Sequence, residues 1–154
     1  LRLLADGRQV EFADFDNPST TYLRWRLARR GLAAAVHDVE REVPGGFDLV
    51  YCFDVIEHVD DPFAFLHRLE SLADLVVVNF LEPTPDDVHV HKPLPIRELL
   101  DHAVGHGLVS YRLHHGRSHL VAYRGRPASA AKRAAGRLKM ARDRLRQTRA
   151  PHPP

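Results

Sequence analysis

FDLVYCFDVIEHVDDP, Phe47 to Pro62, decides the fold. Its first half, Phe47 to Asp54, is a near-continuous apolar run, the pattern of a strand buried on both faces in a parallel sheet. Its second half places Asp54, Glu57 and His58 within five residues, where that strand should end. Asp60 or Asp61 then caps a helix with Pro62 at its first position, and Phe63, Leu66, Leu69 and Leu72 repeat at helical spacing.

Working outward, RQVEFADFD (Arg8–Asp16) reads as a strand ending in acids. NPST follows, with Asn17, Ser19 or Thr20 as cap and Pro18 in the first turn. The helix TYLRWRLARR stops at Gly31. LAAAVHDVE is a short strand running into Asp38 and Glu40. Downstream, LVVVNF (Leu75–Phe80) is another buried strand, and LEPTPDDVHVHKPLP is a proline-rich loop. IRELLDHAVGHG is a helix closed by Gly105 or Gly107. LVSYRLHHG and SHLVAYRG read as an antiparallel pair. Alternating strands and helices predict an α/β fold with a mostly parallel, Rossmann-like sheet, helices on both faces and an antiparallel C-terminal edge hairpin. Ligands of such sheets bind at the carboxyl ends of strands. Asp14 and Asp16, then Asp38, then Asp54 and Glu57 fall at three successive strand ends and predict a common polar rim.

Composition bounds the function classes. The chain has 154 residues, 44% hydrophobic and 27% charged, ordinary values for one globular domain. No apolar run reaches the roughly 20 residues that cross a bilayer. Cys52 lies in an apolar run and reads as a core thiol in a reducing compartment, which points to the cytoplasm. The net charge of +2 hides a basic stretch from Arg126 to Arg149 in which Asp143 is the only acid. The chain therefore divides into a domain over 1–125 and a basic helical or disordered tail over 126–154. In the tail, Leu138, Ala141 and Leu145 would form a thin apolar stripe. Its charge could attract RNA or anionic lipid, although no aromatic residue is interleaved for base stacking. The alternative is a solvated extension.

VEFADFDNPSTTYLRWRLARRG, VHDVE, FDLVYCFDVIEHVDDPFAFLHRL and LVVVNF together resemble the class I S-adenosylmethionine-dependent methyltransferases, over roughly Leu1 to Gly125. The resemblance implies S-adenosylmethionine as cofactor. It implies Asp14 or Asp16, with Asp14 nearer the strand, as the acid on the ribose hydroxyls. It further implies Asp38 at the adenine amino group, the Val39 backbone against the ring, and Phe53 and Asp54 at the methionine end. The family's first strand and glycine-rich loop should precede the strand at Arg8, and no G-x-G pattern elsewhere in the chain could replace it. Either that segment is missing or the protein is degenerate, and the expectation is weak or no cofactor binding by this chain alone.

For Asp54, Glu57 and His58 several readings stay open. One helical turn over 54–58 would put all three on one face. His58 is the candidate general base, since an imidazole exchanges protons near physiological pH. Glu57 may serve only to cap or pair. The turn also resembles that of the Hen1-type small-RNA 2′-O-methyltransferases, which implies a divalent metal held by Asp54, Glu57, His58 and His89 or His91. No metal is assigned on the leading reading. That reading is methyl transfer to a small-molecule or glycan/lipid-type acceptor. The runner-up is a non-catalytic binding or scaffold module of the same fold, and the third is a metal-dependent RNA 2′-O-methyltransferase.

Overall fold

The computed structural model describes residues 1–82, 84 and 91–149, with the side chains of the last two residues excepted. The chain forms two compact units, Leu1–Pro44 and Gly45–Pro154.

The first unit holds helix α1 (Arg2–Ala5), strand β1 (Phe12–Asp14), helix α2 (Pro18–Arg29) and strand β2 (Val36–Asp38). β1 and β2 are parallel, in the register Phe12 to Val36, Ala13 to His37 and Asp14 to Asp38. Both strands are shorter than the sequence predicts. Among the described residues β1 pairs with β2 alone, so its flanks have no further ladder to join, and Ala33–Ala35 are poor strand formers. α2 starts where expected. Asn17 is its cap, accepting from the Ser19 and Thr20 backbone N–H groups at 2.8 and 3.1 Å, and Thr20 Oγ1 returns a bond to the Asn17 N–H at 3.1 Å.

The second unit is a four-stranded sheet, order β3-β4-β6-β5, built from β3 (Phe47–Cys52), β4 (Ala73–Leu81), β5 (Leu108–His114) and β6 (Ser118–Arg124). β3 and β4 are parallel; β6 is antiparallel to both β4 and β5. The predicted C-terminal edge hairpin is thus present. The β-branched run of β4 supplies Val76 and Val78, which with Phe80, Val121 and Tyr123 are at most 1% exposed. Against them pack Leu66 and Leu69 of α3 (Pro62–Leu72) and Leu99, Leu100, Ala103 and Val104 of α4 (Ile96–Gly105). The i, i+1, i+4, i+5 spacing on α4 is one helical stripe. Each fully buried aliphatic side chain stabilises by about 1.5–3 kcal/mol. Asp61 caps α3, accepting from Phe63 and Ala64 N–H at 3.0 and 2.9 Å. α4 ends before Gly107, whose φ of +95° suits glycine.

β3 departs from expectation. It is not buried on both faces: Leu49 and Tyr51 are 45% and 48% exposed. Val50 and Cys52, on the alternate face, pack against the core. Among the described residues β3 pairs only with β4, and the α3–α4 core covers one face.

The basic stretch forms α5 (Ala130–Arg149), which lies along β5. The predicted apolar stripe is not the face it buries: Leu138 and Leu145 are 74% and 59% exposed. The docked positions are Gly136, Met140, Asp143 and Gln147. Gly136 packs against Leu108 and Val104. Gln147 accepts from Leu113 N–H at 2.5 Å and donates to Tyr111 C=O at 3.3 Å, capping the open edge of the sheet.

Candidate functional site

In the first unit, the register places Asp14 and Asp38 side by side at the carboxyl ends of adjacent parallel strands. Neighbouring strands lie about 4.8 Å apart, so the two carboxylates form one acidic edge. Asp14 Oδ1 accepts from the Phe15 N–H at 2.8 Å, and Asp38 Oδ1 accepts from the Glu40 N–H at 3.0 Å. Arg41 Nε stands 3.6 Å from Asp38 Oδ2. Val39 N–H donates to Asp14 C=O at 3.1 Å, extending the ladder by one step. Asp16 lies beyond the strand and faces Arg24 at 3.5 Å. It also borders an open depression of about 800 Å³ lined by Asn17, Pro18, Thr21, Tyr22 and Trp25, the last two with rings stacked at 5.5 Å.

In the second unit, Phe53 and Asp54 follow the carboxyl end of β3. Phe53 is 47% exposed and lies beside Tyr51, ring centres 5.7 Å apart. The expected single helical turn over 54–58 is instead a bend followed by a 3₁₀ turn, Ile56–His58. Asp54 has φ +54°, a left-handed conformation that aspartate tolerates better than most residues. It is held by Asn79 of β4. The Asp54 N–H donates to Asn79 Oδ1 at 2.8 Å, and Asn79 Nδ2 donates to Asp54 Oδ1 at 2.7 Å. Asp54 therefore leaves the face on which Glu57 and His58 stand.

Glu57 and His58 meet His91. Their ligand atoms all lie within 4.8 Å of one another, and the His58 and His91 rings are 5.0 Å apart. Glu57 is fully buried, and among the described residues neither carboxylate oxygen has a hydrogen-bond partner; nor has the buried His91 Nδ1. A buried carboxylate without partners is costly, and such groups collect at working sites. His58 is exposed. The Lys92 N–H donates to the Glu57 C=O at 2.8 Å, and Lys92 pairs with Asp60, holding that carboxyl below its usual range. This tie brings the loop bearing His91 to the turn. His89, the other candidate ligand, lies outside the described residues.

Sequence reasoning missed Asn79. The signal was present: one amide in the otherwise apolar run LVVVNF.

Among solved structures, the PH0226 protein from Pyrococcus horikoshii OT3 is similar, with a TM-score of 0.62 and 14% identity, over 82% of this chain and 75% of its own. An O-methyltransferase (NcsB1) from neocarzinostatin biosynthesis, solved with S-adenosylmethionine and 2-hydroxy-5-methyl naphthoic acid, is also similar. Its TM-score is 0.51 at 23% identity, and the match spans 71% of this chain and 39% of that enzyme. The fold is the class I methyltransferase fold. No protein-family model and no curated protein matches the chain. Ligands of parallel α/β sheets bind at the carboxyl ends of strands; in the first unit Asp14 and Asp38 stand at such ends, and in the second the turn follows the carboxyl end of β3. No helix among the described residues is long and apolar enough to cross a membrane.

Proposed function

We propose that the protein takes part in S-adenosylmethionine-dependent methyl transfer to a hydroxyl of a small-molecule or glycan/lipid-type acceptor. The observation that carries this reading is the pairing of Asp14 with Asp38 at adjacent strand ends of a methyltransferase fold. The donor set suits the cofactor. On Asp14, the Phe15 N–H and the longer Asn17 contact both engage Oδ1, so Oδ2 can accept from ribose hydroxyls. Asp38 can accept from the adenine amino group, with the Val39 backbone beside the ring. Phe53 supplies an exposed apolar surface after β3, and Asp54 a backbone fixed by Asn79.

The cofactor, when bound, supplies an electrophilic sulfonium methyl. The chain's own residues hold and deprotonate. His58, exposed beside the turn, takes the proton from the acceptor hydroxyl as the oxygen attacks in line. The test is release of S-adenosylhomocysteine with a panel of phenolic and sugar acceptors, wild type against His58→Gln. Turnover lost in the variant with cofactor binding kept supports the reading. Cofactor binding with no turnover on any acceptor favours the binding-module alternative.

The orphaned Glu57 carboxylate favours a second reading. A divalent cation between Glu57, His58 and His91 would satisfy that carboxylate and polarise a ribose hydroxyl, as an RNA 2′-O-methyltransferase requires. Its ligand set is these three residues without Asp54, whose carboxylate is committed to Asn79. Activity on small RNA that disappears with chelator, returns with added cation, and is absent from Glu57→Ala would establish it.

A further inference from the structure

A different carboxylate–histidine cluster lies at the other end of the β3–β4 ladder. Glu70 sits near the end of α3, three residues before β4 begins at Ala73. The turn at Glu57 follows the opposite, carboxyl end, where Cys52 pairs with Val78. Five strand residues, about 16 Å, separate the two ends.

Glu70 is gripped by three imidazoles from two helices. His67 Nδ1 is 2.9 Å from Glu70 Oε2, His102 Nε2 is 2.5 Å from Oε1, and His106 Nε2 is 3.6 Å from Oε2. His67 and Glu70 are i and i+3 on α3. His102 and His106 are i and i+4, on and just past the end of α4. Each pair therefore points one way, and the helix packing turns both pairs together. The His102 and His106 rings lie 4.4 Å apart. The side chains of Glu70, His102 and His106 are 6%, 12% and 13% exposed, while His67 is 64% exposed and forms the open lip.

We propose that His67, Glu70, His102 and His106 form a closed binding site for a divalent first-row transition metal ion, zinc above all, that staples α3 to α4. Three imidazoles and one carboxylate are a zinc donor set, and four protein ligands make a structural rather than a catalytic site. A tetrahedral zinc with bonds of about 2.0–2.1 Å has donor–donor edges of about 3.3–3.4 Å. The ligand atoms of His67, Glu70 and His102 lie within 4.8 Å of one another, and His106 Nε2, 3.6 Å from Glu70 Oε2, stands beside them as the fourth donor to be drawn in. The tautomer of His106 points the same way. Its Nδ1 is 3.2 Å from the His102 C=O, which can only accept, so Nδ1 carries the proton. In the neutral ring Nε2 then keeps its lone pair, 3.6 Å from Glu70 Oε2, to offer to a cation. Tyr123 OH donates to Glu70 Oε1 at 3.0 Å and orients the carboxylate from behind, as outer partners of metal ligands do.

The test is a zinc titration of the chelator-stripped full chain, followed by calorimetry against a competing chelator, with the visible spectrum of the cobalt(II) form. One zinc per chain should bind, the cobalt form should show the intense bands of a tetrahedral site, and zinc should raise the thermal midpoint. His67→Gln, at an exposed position that leaves the fold intact, and His106→Gln should each weaken binding at least about tenfold. The double variant should lose it along with the thermal shift. Glu57→Gln/His91→Gln should retain it. The proposal is overturned if zinc does not saturate a site at micromolar concentration. It is equally overturned if binding ignores His67 and His106, or vanishes only with Glu57 and His91.

Discussion

The clusters around Glu57 and Glu70 are made of the same parts, a buried carboxylate and imidazoles, yet they are in opposite states. Glu70 has each oxygen bonded: Oε1 by His102 and Tyr123, Oε2 by His67. Among the described residues Glu57 has neither oxygen bonded, with His58 and His91 as its candidate co-ligands. Glu70 stands where two helices end against the start of β4, at the end of the sheet that methyltransferase folds leave for stability. Glu57 stands after the carboxyl end of β3, where they bind ligands. The difference teaches that buried charge by itself does not mark a site. Where the surrounding groups complete the carboxylate it serves the fold; where they leave it incomplete it is available for chemistry.

The largest expected effect is catalytic. His58→Gln should lower turnover by about 10²–10⁴-fold, the range for a lost general base, with cofactor affinity unchanged. An equal loss in affinity would place His58 in binding instead.

The same substitution should then act with opposite sign at the two carboxylates. Glu70→Met strands His102 and the Tyr123 hydroxyl and should cost about 3 kcal/mol in urea unfolding. Glu57→Met removes a buried carboxyl that has no partner among the described residues and should gain about 1–2 kcal/mol. Loss at both positions would break the comparison.

Acid should expose the same asymmetry. Burial raises the Glu70 carboxyl, but hydrogen bonds from His102 and His67 and the charges of His102 and His106 outweigh it, taking it from 4.5 to about 2. A depressed carboxyl contributes stability above its unfolded value and loses it as pH falls through its folded one. Wild-type stability should therefore drop between about pH 4.5 and 2, and Glu70→Gln should flatten that drop.

Smaller effects sharpen the picture further along. Asn79→Ala frees the strained Asp54 backbone and leaves its carboxyl unpaired; a cost of about 1–2 kcal/mol is expected, seen as a lower urea midpoint. Leu145→Ala, on the outward face of α5, should change stability by less than about 0.5 kcal/mol, whereas Met140→Ala on the docked face should cost about 1–2 kcal/mol.

Much of the succession of elements was legible because local signals set it. Asn17 and Pro18, then Asp61 and Pro62, announce helix starts, and the apolar runs at Phe47 and Leu75 announce strands. What the chain order could not disclose depends on register or helix packing. Asn79 reaches Asp54 because β3 and β4 pair with Cys52 opposite Val78. HRLE and HAVGH carry helical spacings openly, yet only the docking of α3 against α4 makes them one cluster. The stripe Leu138, Ala141, Leu145 followed hydrophobicity, but α5 docks by the face that carries Gly136, Met140 and the edge-capping amide of Gln147. The burial of Glu57 is likewise a property of the fold, since nothing in VIEHV says that its carboxyl will be enclosed.

The central claim, that the acidic edge made by Asp14 and Asp38 holds S-adenosylmethionine, is tested most directly by calorimetric titration of that cofactor into the protein as its gene encodes it. Saturable binding is predicted, weakened at least about tenfold by Asp14→Asn through loss of a charge-assisted pair and changed little by Asp16→Asn. No heat at millimolar cofactor, or a loss that follows Asp16 rather than Asp14, would contradict it.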